Sequence, residues 1–215
     1  LMQNLLTGKV RLPEYDNCPV PVQERIRMIN DGIVPEGYKQ TKVGIIPGEW
    51  EVRQIKDFGK VITGSTPPTK DNSYYNGEFP WVTPTDINGE KYIDSTLKQL
   101  TKKGLEKSRI LPEDSVLVTS IASIGKNCIL KSKGSCNQQI NAIVVNSKNN
   151  FEFLYYVISH NTDRMKVFAG QTATQIINKT TFEKFIIASP QLNEQTAIAN
   201  ILSTSDKAIE TTETL

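Results

Sequence analysis

The chain has 215 residues, of which 38% are hydrophobic and 22% charged, with a formal net charge of +2 and a sequence pI near 8.4. These values are typical of one main globular domain with appendages. No apolar stretch approaches the roughly 18 residues of a membrane-spanning helix, and residues 1–9 lack the layout of a signal peptide. We therefore expect a cytoplasmic protein and, because position 1 is not Met, a fragment or a trimmed chain. The mild net charge neither establishes nor excludes nucleic-acid binding.

Cysteine and histidine are scarce and scattered. The three cysteines, Cys18, Cys128 and Cys136, are odd in number and unevenly spaced, and His160 is the only histidine. A disulfide framework needs a dense, even set of cysteines, and a zinc site usually contains Cys-x-x-Cys pairs. We expect free, mostly buried thiols and no metal site.

The first 37 residues indicate the end of a helix followed by a connector. Met2, Leu5 and Leu6 fall on one helical face and Gly8 suits a C-terminal cap, so residues 1–12 are predicted as the C-terminal end of a longer helix. Residues 13–37 are predicted as an extended connector in which residues 23–29 allow a short amphipathic turn. Four prolines interrupt regular structure there: Pro13, Pro19, Pro21 and Pro35.

From residue 38 to residue 192 the pattern changes to short strands between turns. Alternation over 49–55 predicts a strand, and the β-branched run 116–121 predicts a buried one. Residues 128–130 and 140–145 flank a polar turn, which predicts a hairpin. Apolar spacing over 153–168 predicts one helix. Residues 179–187 are predicted as another short strand.

Residues 193–215 are predicted as the start of a long helix. Asn193 suits the N-cap, Glu194 favours the positive end of the helix dipole, and Pro190 precedes both. Apolar residues recur at spacings of three, four and seven, as in a coiled-coil seam. The alternative is a terminal helix that packs on its own domain. The predicted helix interface consists of Ile198, Ile201, Leu202, Ala208, Ile209 and Leu215.

The sequence contains no recognisable catalytic motif. A phosphate-binding loop requires Gly-x-x-x-x-Gly-Lys-Ser/Thr, and in the nearest stretch Ser120 replaces the first glycine and Asn127 the hydroxyl. Neither Gly-x-Gly-x-x-Gly after a strand nor Gly-x-Ser-x-Gly occurs. One histidine leaves little room for a catalytic triad, and the carboxylates lack acid–base or metal-binding spacing. The sequence therefore favours a protein without an active site.

Two polar loops and several cations form the candidate DNA-contact set. Residues 63–70 are rich in hydroxyls and precede two tyrosines, and residues 170–175 carry two glutamines whose amides suit pairing with adenine. Lysines suit phosphate contacts, and a basic cluster at 98–109 has the same potential. An ordinary solvated surface has a similar composition and is the alternative. The candidate contacts are Thr63, Ser65, Thr66, Lys70, Tyr74, Tyr75, Lys126, Gln171, Thr172, Thr174, Gln175, Asn178 and Lys179.

An ordered set of motifs runs through almost the whole chain. Its segments are residues 37–50, 63–67, 75–87, 104–108, 120–125, 137–140 and 189–199. The last of them is similar to the start of a long helix, and residues 1–13 are similar to the far end of a helix of the same kind. Taken in this order, the segments resemble the target recognition domain of a type I restriction-modification specificity subunit. The stretch from 63 to 87 is the most specific part of the resemblance.

The resemblance implies an α+β fold, in which a β-rich recognition domain with short helices is flanked by pieces of long coiled-coil-type helices. It also implies a non-catalytic protein that binds one half of a bipartite sequence in double-stranded DNA. Its partners would be a methyltransferase subunit using S-adenosylmethionine and a restriction subunit using ATP with magnesium, so this chain itself needs no cofactor. Pairing of two copies through the long helices would supply both half-sites.

Two other classes of function stay open from the sequence. One is a protein-interaction adapter that acts through the coiled-coil helix, and partner capture insensitive to DNA would favour it. The other is a degenerate nuclease or methylase domain, which magnesium-dependent cleavage or methyl transfer by the isolated chain would reveal.

Overall fold

The structure is a computed structural model that describes residues 1–170 and 176–213. The α-helices in this part of the chain are α1 (Met2–Leu6), α2 (Val22–Asn30), α3 (Lys102–Glu106), α4 (Phe151–His160), α5 (Thr162–Phe168), α6 (Lys179–Glu183) and α7 (Leu192–Glu213). The strands are β1 (Tyr38–Thr41), β2 (Gly44–Pro47), β3 (Glu51–Gln54), β4 (Gly59–Thr63), β5 (Tyr75–Val82), β6 (Tyr92–Ile93), β7 (Gln99–Leu100), β8 (Val116–Thr119), β9 (Asn127–Leu130), β10 (Ser135–Cys136), β11 (Ile140–Val145) and β12 (Ile186–Ser189). Among the described helices, none combines the length and apolar character that crossing a bilayer requires.

The chain forms two compact units. Unit 1 comprises Leu1–Arg53 and Ile186–Leu215, and unit 2 comprises Gln54–Phe185. Unit 2 therefore begins later and ends earlier than the recognition domain predicted over residues 38–192. The mixed architecture of short helices and small sheets agrees with the predicted α+β class.

Within residues 1–53 and 186–213, unit 1 contains two two-stranded sheets and three α-helices. β1 and β2 form an antiparallel hairpin, and β3 pairs with β12. Helix α1 packs on α7, and Leu5 and Leu6 of α1 are buried. The glycine after α1, Gly8, has a φ of +70°, and a Cβ there would lie 2.4 Å from Cδ of Pro47. Only glycine fits this close turn beside the β1–β2 hairpin.

Buried ion pairs stabilise unit 1. Arg11 donates to both carboxylate oxygens of Glu194, at 2.9 and 2.8 Å, and both side chains are only 6% exposed. Trp50 Nε1 donates to the same carboxylate at 3.2 Å. Arg25 is fully buried and donates to both oxygens of Asp16 at 2.6 and 2.7 Å. Each of these buried polar groups has a hydrogen-bonding partner, and burying a charge without one would cost on the order of several kcal/mol of stability.

Unit 2 contains a five-stranded and a three-stranded sheet. The larger has the order β4-β11-β8-β9-β6, in which β11 is antiparallel to β4 and β8, and β6 is parallel to β9. The smaller has the order β10-β5-β7, with β10 parallel to β5. Side chains of both sheets and their connections form one apolar core: Val82, Ile87, Ile93, Leu111, Leu117, Cys128, Leu130, Cys136, Ile140 and Ala142.

Two of the predicted elements of unit 2 are wrong. Residues 128–130 and 140–145 do not form a hairpin, because β8 lies between β9 and β11 and pairs with both. The helix predicted over 153–168 is two helices. Asn161 separates them and bonds Val157 O through its own amide at 2.8 Å, an interaction that competes with helix continuation.

Near the C-terminus, two further expectations need correction. Residues 179–187 are not one strand: Asn178 caps α6 by accepting from Thr181 N–H at 2.9 Å, and β12 begins only at Ile186. Asn193 is not the N-cap of α7, because the helix begins at Leu192 and Gln195 N–H donates to Gln191 O at 3.0 Å. Asn193 therefore lies in the first turn.

Several other sequence predictions are confirmed by the element bounds. The buried strand predicted over 116–121 is β8, whose four residues are all buried. The strand predicted over 49–55 is β3, and the amphipathic turn in the connector is α2. A short helix lies near the N-terminus as α1. The remainder of 10–37 includes a 3₁₀ turn at Pro13–Tyr15.

The predicted helix interface on α7 divides into two parts. Ile198 and Leu202 are 2% and 3% exposed and are buried within unit 1, as the alternative of a helix packed on its own unit requires. Ile201 is half-buried, whereas Ala208 and Ile209 are exposed, the latter by 57%. Leu215 lies outside the described residues. The coiled-coil pairing of α7 stays a prediction.

Candidate nucleic-acid interface

The strand directions of unit 2 bring three polar segments to one edge of the larger sheet, and residues 176–178 join them through hydrogen bonds. β11 is antiparallel to both neighbours, so Asn141 at its start lies opposite Thr63 at the end of β4, and Ile140 lies opposite Thr119 at the end of β8. β9 begins at the same edge, with Asn127 opposite Val118. We call residues 63–66, 119–126, 137–141 and 176–178 the polar edge.

The hydroxyl-rich loop is fixed to the segment that enters β11. Gly64 N–H donates to Ile140 O at 3.0 Å and Ser65 N–H donates to Cys136 O at 2.8 Å. Thr66 Oγ1 donates to Gln138 Oε1 at 2.6 Å. A Cβ on Gly64 would lie 2.1 Å from Asn137 O, so the two backbones approach as closely as only glycine permits. The predicted residues Thr63, Ser65 and Thr66 therefore share one surface with residues 137–141.

Buried Asn141 joins the hydroxyl loop to the segment after the glutamine loop. Its Oδ1 accepts from Thr63 Oγ1 at 2.7 Å, and its Nδ2 donates to Ile177 O at 3.3 Å. Ile177 N–H also donates to Ser120 O at 2.9 Å, and Ile176 forms a bridge with Ile121. The predicted contacts Gln171, Thr172, Thr174 and Gln175 lie outside the described residues. The residues that follow them are part of the polar edge.

Asn137, Gln138 and Gln139 of the polar edge belong to the motifs of the resemblance but not to the predicted contact set. Asn137 Oδ1 accepts from Gln139 N–H at 3.0 Å, and its amide nitrogen donates to Gln139 Oε1 at 3.1 Å. These bonds form a tight turn that exposes Gln138. The signal for them was the motif 137–140. Its position at the edge depends on the pairing of β11 and could not be inferred from composition.

The other predicted contacts have different surroundings. Lys126 is exposed on the polar edge, in the turn before β9. Asn178 is exposed and caps α6, and Lys179 lies 3.5 Å from Glu183. Lys70 is exposed beyond the hydroxyl loop, and Tyr75 hydroxyl donates to Pro67 O at 2.7 Å. Tyr74 is only 9% exposed, so its ring belongs to the interior.

Cations flank the polar edge. The Arg109 backbone N–H donates to Ser65 Oγ at 2.8 Å, and its guanidinium donates to Thr63 O at 2.7 Å. Lys102, Lys103 and Lys107 are exposed on and just after α3. The exposed Arg109 beside hydroxyl and amide groups suits DNA binding, because cations contact phosphates and amides contact base edges.

The chemistry of these residues favours binding over catalysis. Burial raises the pKa of Cys136 to about 12 and also raises the pKa of Cys128, so both thiols stay protonated and poorly nucleophilic at neutral pH. In residues 1–170 and 176–213, His, Cys, Asp and Glu form no group of three that could hold a metal ion. The polar edge supplies hydrogen-bond donors and acceptors without an acid–base pair.

Comparison with known proteins gives a consistent match. A family profile described as "Type I restriction modification DNA specificity domain" matches residues 47–215. The type I restriction enzyme MjaIX specificity subunit of Methanocaldococcus jannaschii is 35% identical over 80% of this chain and 41% of its own length. The HindI specificity subunit of Haemophilus influenzae is 30% identical over 67% of this chain and 33% of its own length. The chain thus spans less than half the length of these two relatives.

Solved structures show the same fold. The HsdS subunit from Thermoanaerobacter tengcongensis superposes with a TM-score of 0.62 at 17% identity, over 82% of this chain and 42% of that one. A chain from a study of complex assembly in the type I R-M system gives a TM-score of 0.65 at 16% identity, over 81% and 42%. The profile match covers more than half of the residues and agrees with the relatives and with the fold. The chain therefore belongs to the type I restriction modification DNA specificity domain family.

Proposed function

We propose that unit 2 binds one half of a bipartite sequence in double-stranded DNA through its polar edge. The observation that carries the proposal is the convergence of residues 63–66, 119–126, 137–141 and 176–178 at one edge of one sheet, beside Arg109. Each of these segments contains residues that the sequence singles out for separate reasons. Strand pairing and the hydrogen bonds of Thr66, Asn141 and Ile177 bring the segments together.

The residues divide into two roles by their chemistry. Amides and hydroxyls contact base edges in the major groove, because an Asn or Gln amide pairs with adenine through one donor and one acceptor. Cations contact phosphates, which positions the protein without selecting sequence. The base-contact group comprises Thr63, Ser65, Thr66, Gln138, Gln139, Gln171, Thr172, Thr174, Gln175 and Asn178, with Tyr75 in support, and the phosphate group comprises Lys70, Lys126 and Lys179.

The chain itself carries out no reaction under this proposal. The M. jannaschii relative is described as the specificity subunit of a restriction enzyme, and we assign the same role here, within a complex with methyltransferase and restriction subunits. S-adenosylmethionine and ATP with magnesium would bind those partners. Two copies of this chain would pair through the exposed second part of α7, where Ala208 and Ile209 lie, and so present two recognition units.

A selection from random duplexes tests the proposal. The chain with its methyltransferase partner is incubated with a random duplex library, and the bound DNA is sequenced. We expect a short, discrete motif to be enriched, with affinity for it roughly 10³-fold or more above that for scrambled DNA. Salt-sensitive binding without any enrichment would leave a non-specific DNA binder and would contradict the proposal. Absence of binding at low salt, together with capture of a protein partner, would favour the adapter alternative.

A further inference from the structure

A pocket of about 280 Å³ lies beside the hydroxyl loop in unit 2. Its size is close to the lower end of small-ligand sites, roughly 300 Å³. Tyr75 and Trp81 contribute aromatic rings, with centroids 6.2 Å apart and planes at 73°. Hydrogen bonds fix both rings to the loop, since Tyr75 hydroxyl donates to Pro67 O at 2.7 Å and Trp81 Nε1 donates to Ser65 O at 3.0 Å. The pocket is lined by Thr69, Asn72, Tyr75, Asn76, Trp81, Lys98 and Gln99.

The polar groups of this pocket are available to a ligand. Considering only the part of the chain that the structure describes, the side-chain amides of Asn72, Asn76 and Gln99 make no hydrogen bond, and the Lys98 ammonium makes no ion pair. Asn76 also has a φ of +62°, a backbone conformation that costs free energy for a residue other than glycine. Three amides, one ammonium group and two aromatic rings therefore line the pocket, and the amides and the ammonium group do not bind one another.

An exposed leucine lies next to the pocket in the chain. Leu97 is 90% exposed, and it directly precedes Lys98 and Gln99 of the pocket wall. Its loop is held in place: Leu97 N–H donates to Asp86 Oδ1 at 3.2 Å, and Thr96 Oγ1 donates to Lys98 O at 2.7 Å. Trp81 N–H donates to the same Thr96 hydroxyl at 3.0 Å. A large apolar side chain is thus presented to solvent on a braced loop.

We propose that Leu97 inserts into the base stack of the DNA target and that the pocket behind it holds the displaced nucleobase. The inference rests on the proposed function and deepens it, because it assigns an unstacked nucleotide as the ligand of a second site. Proteins kink duplexes by inserting apolar side chains between base steps, and extruded bases are bound by aromatic rings and by hydrogen bonds to their Watson–Crick edge. Tyr75 and Trp81 supply the rings, the three amides supply the hydrogen bonds, and Lys98 supplies the cation for the adjoining phosphate.

The test uses the chain alone, so that no methyltransferase partner contributes base flipping. Duplexes carrying the selected motif receive a single abasic site at each position in turn, and affinity is measured for the wild-type chain and for Asn76→Gly. Glycine keeps the positive φ at position 76 and removes only the amide. We expect Asn76→Gly to weaken binding to the intact duplex about tenfold, as loss of a base-edge contact does. At one position the abasic site should abolish this difference, since the amide then has no base to bind.

A second variant tests the insertion. Leu97→Ala should weaken binding to the intact duplex about tenfold, and a mismatch at the position found above should restore most of the affinity, because an unpaired base is easier to unstack. Ile33→Ala, which shortens an exposed aliphatic side chain of unit 1, should change neither measurement. A 2-aminopurine at that position should fluoresce more strongly on binding of the wild-type chain than on binding of Leu97→Ala.

The outcomes separate this inference from the proposed function. Failure to select any motif overturns the proposed function. The unstacked-base site is overturned if a motif is selected but Asn76→Gly weakens binding equally at every abasic position and no mismatch restores the affinity of Leu97→Ala. In that case the polar edge is the recognition surface.

Discussion

The ion pairs of unit 1 and the polar edge of unit 2 contain similar chemical groups in opposite surroundings. In unit 1, Arg11, Glu194 and Trp50 are buried and bind one another. On the polar edge, Gln138 is exposed, and its amide nitrogen makes no hydrogen bond with the residues that the structure describes. The difference shows that burial with complete partnering marks a polar group as structural, whereas exposure with unused donors marks it as available for recognition.

The largest expected effect follows from breaking the ion pair in unit 1. Glu194→Ala leaves Arg11 with only the exposed carboxylate of Glu49, at 3.0 Å, and leaves Trp50 Nε1 without its acceptor. Removing one partner of a buried ion pair costs about 3–5 kcal/mol of the free energy of unfolding. Urea unfolding monitored by circular dichroism measures this loss. Glu36→Ala, at an exposed position, is the control, and a cost for Glu194→Ala no larger than the control's would show that the pair is not structural.

A smaller effect is expected from Gly64→Ala on the polar edge. The added Cβ would approach Asn137 O to 2.1 Å and Cys136 O to 2.3 Å, so the hydroxyl loop must move away from residues 137–141. We expect a cost of about 1–3 kcal/mol in the free energy of unfolding and a loss of preference for the selected motif over scrambled DNA. Competition binding with both duplexes measures that preference.

Gly89→Ala is the control for this change. Unlike Gly64, Gly89 has a positive φ, +113°, but a Cβ there would meet no atom within 4 Å. The control therefore adds backbone strain without displacing the loop, and it should keep the sequence preference. If Gly64→Ala and Gly89→Ala lost the same amount of sequence preference, the contact between the hydroxyl loop and residues 137–141 would have no role in recognition.

Replacing phosphate contacts should affect all sequences alike. Lys126→Ala and Lys70→Ala are each expected to weaken binding to selected and scrambled duplexes by the same factor. The slope of log affinity against log salt should fall by about one for each lysine. Titrations at several salt concentrations measure that slope, and Lys42→Ala in unit 1, also exposed, should leave it unchanged. A change in the enriched motif would instead place the lysine among the base contacts.

The smallest expected effect is a change in how steeply the free energy of unfolding depends on pH in acid. Hydrogen bonds from Arg25 hold the pKa of Asp16 below its ordinary value of 3.8. The native state therefore binds this proton less readily than the unfolded state, and the stabilisation is present above pH 3.8 and is lost as the pH falls through the native pKa. Asp16→Asn should reduce the slope of unfolding free energy against pH in that window, by at most about 1.4 kcal/mol per pH unit. Urea unfolding at a series of acid pH values, with Asp31→Asn as an exposed control, measures it, and an unchanged slope would contradict the assignment.

Local patterns predicted the parts of the fold that depend on nearby residues. β8 was predicted because its apolar, β-branched residues suit burial whatever their partners. The hairpin was wrongly predicted because β8, distant in sequence from β11, pairs with both β9 and β11. The breaks at Asn161 and Asn178 depend on side chains that bond the backbone, which apolar spacing does not reveal.

As with the fold, the sequence predicted the local motifs of the candidate site but not the long-range contacts between them. The hydroxyls of Thr63, Ser65 and Thr66 were evident from composition, and the motif 137–140 was evident from the resemblance. The role of Asn141 was not, because it depends on the register that sets this buried amide opposite Thr63 and within 3.3 Å of Ile177 O. The contacts of Asn141 therefore depend on the pairing register of distant strands, which local sequence patterns do not reveal.

Under the proposed function, the polar edge determines which DNA sequence is bound. The most direct test repeats the random-duplex selection with the double variant Gln138→Ala, Gln139→Ala beside the wild-type chain. We expect the enriched motif to lose its preference at one or two positions, by about 1–3 kcal/mol for each lost base contact, while affinity for scrambled DNA stays the same. An identical motif with identical affinities would contradict the claim and place the recognition surface elsewhere on the chain.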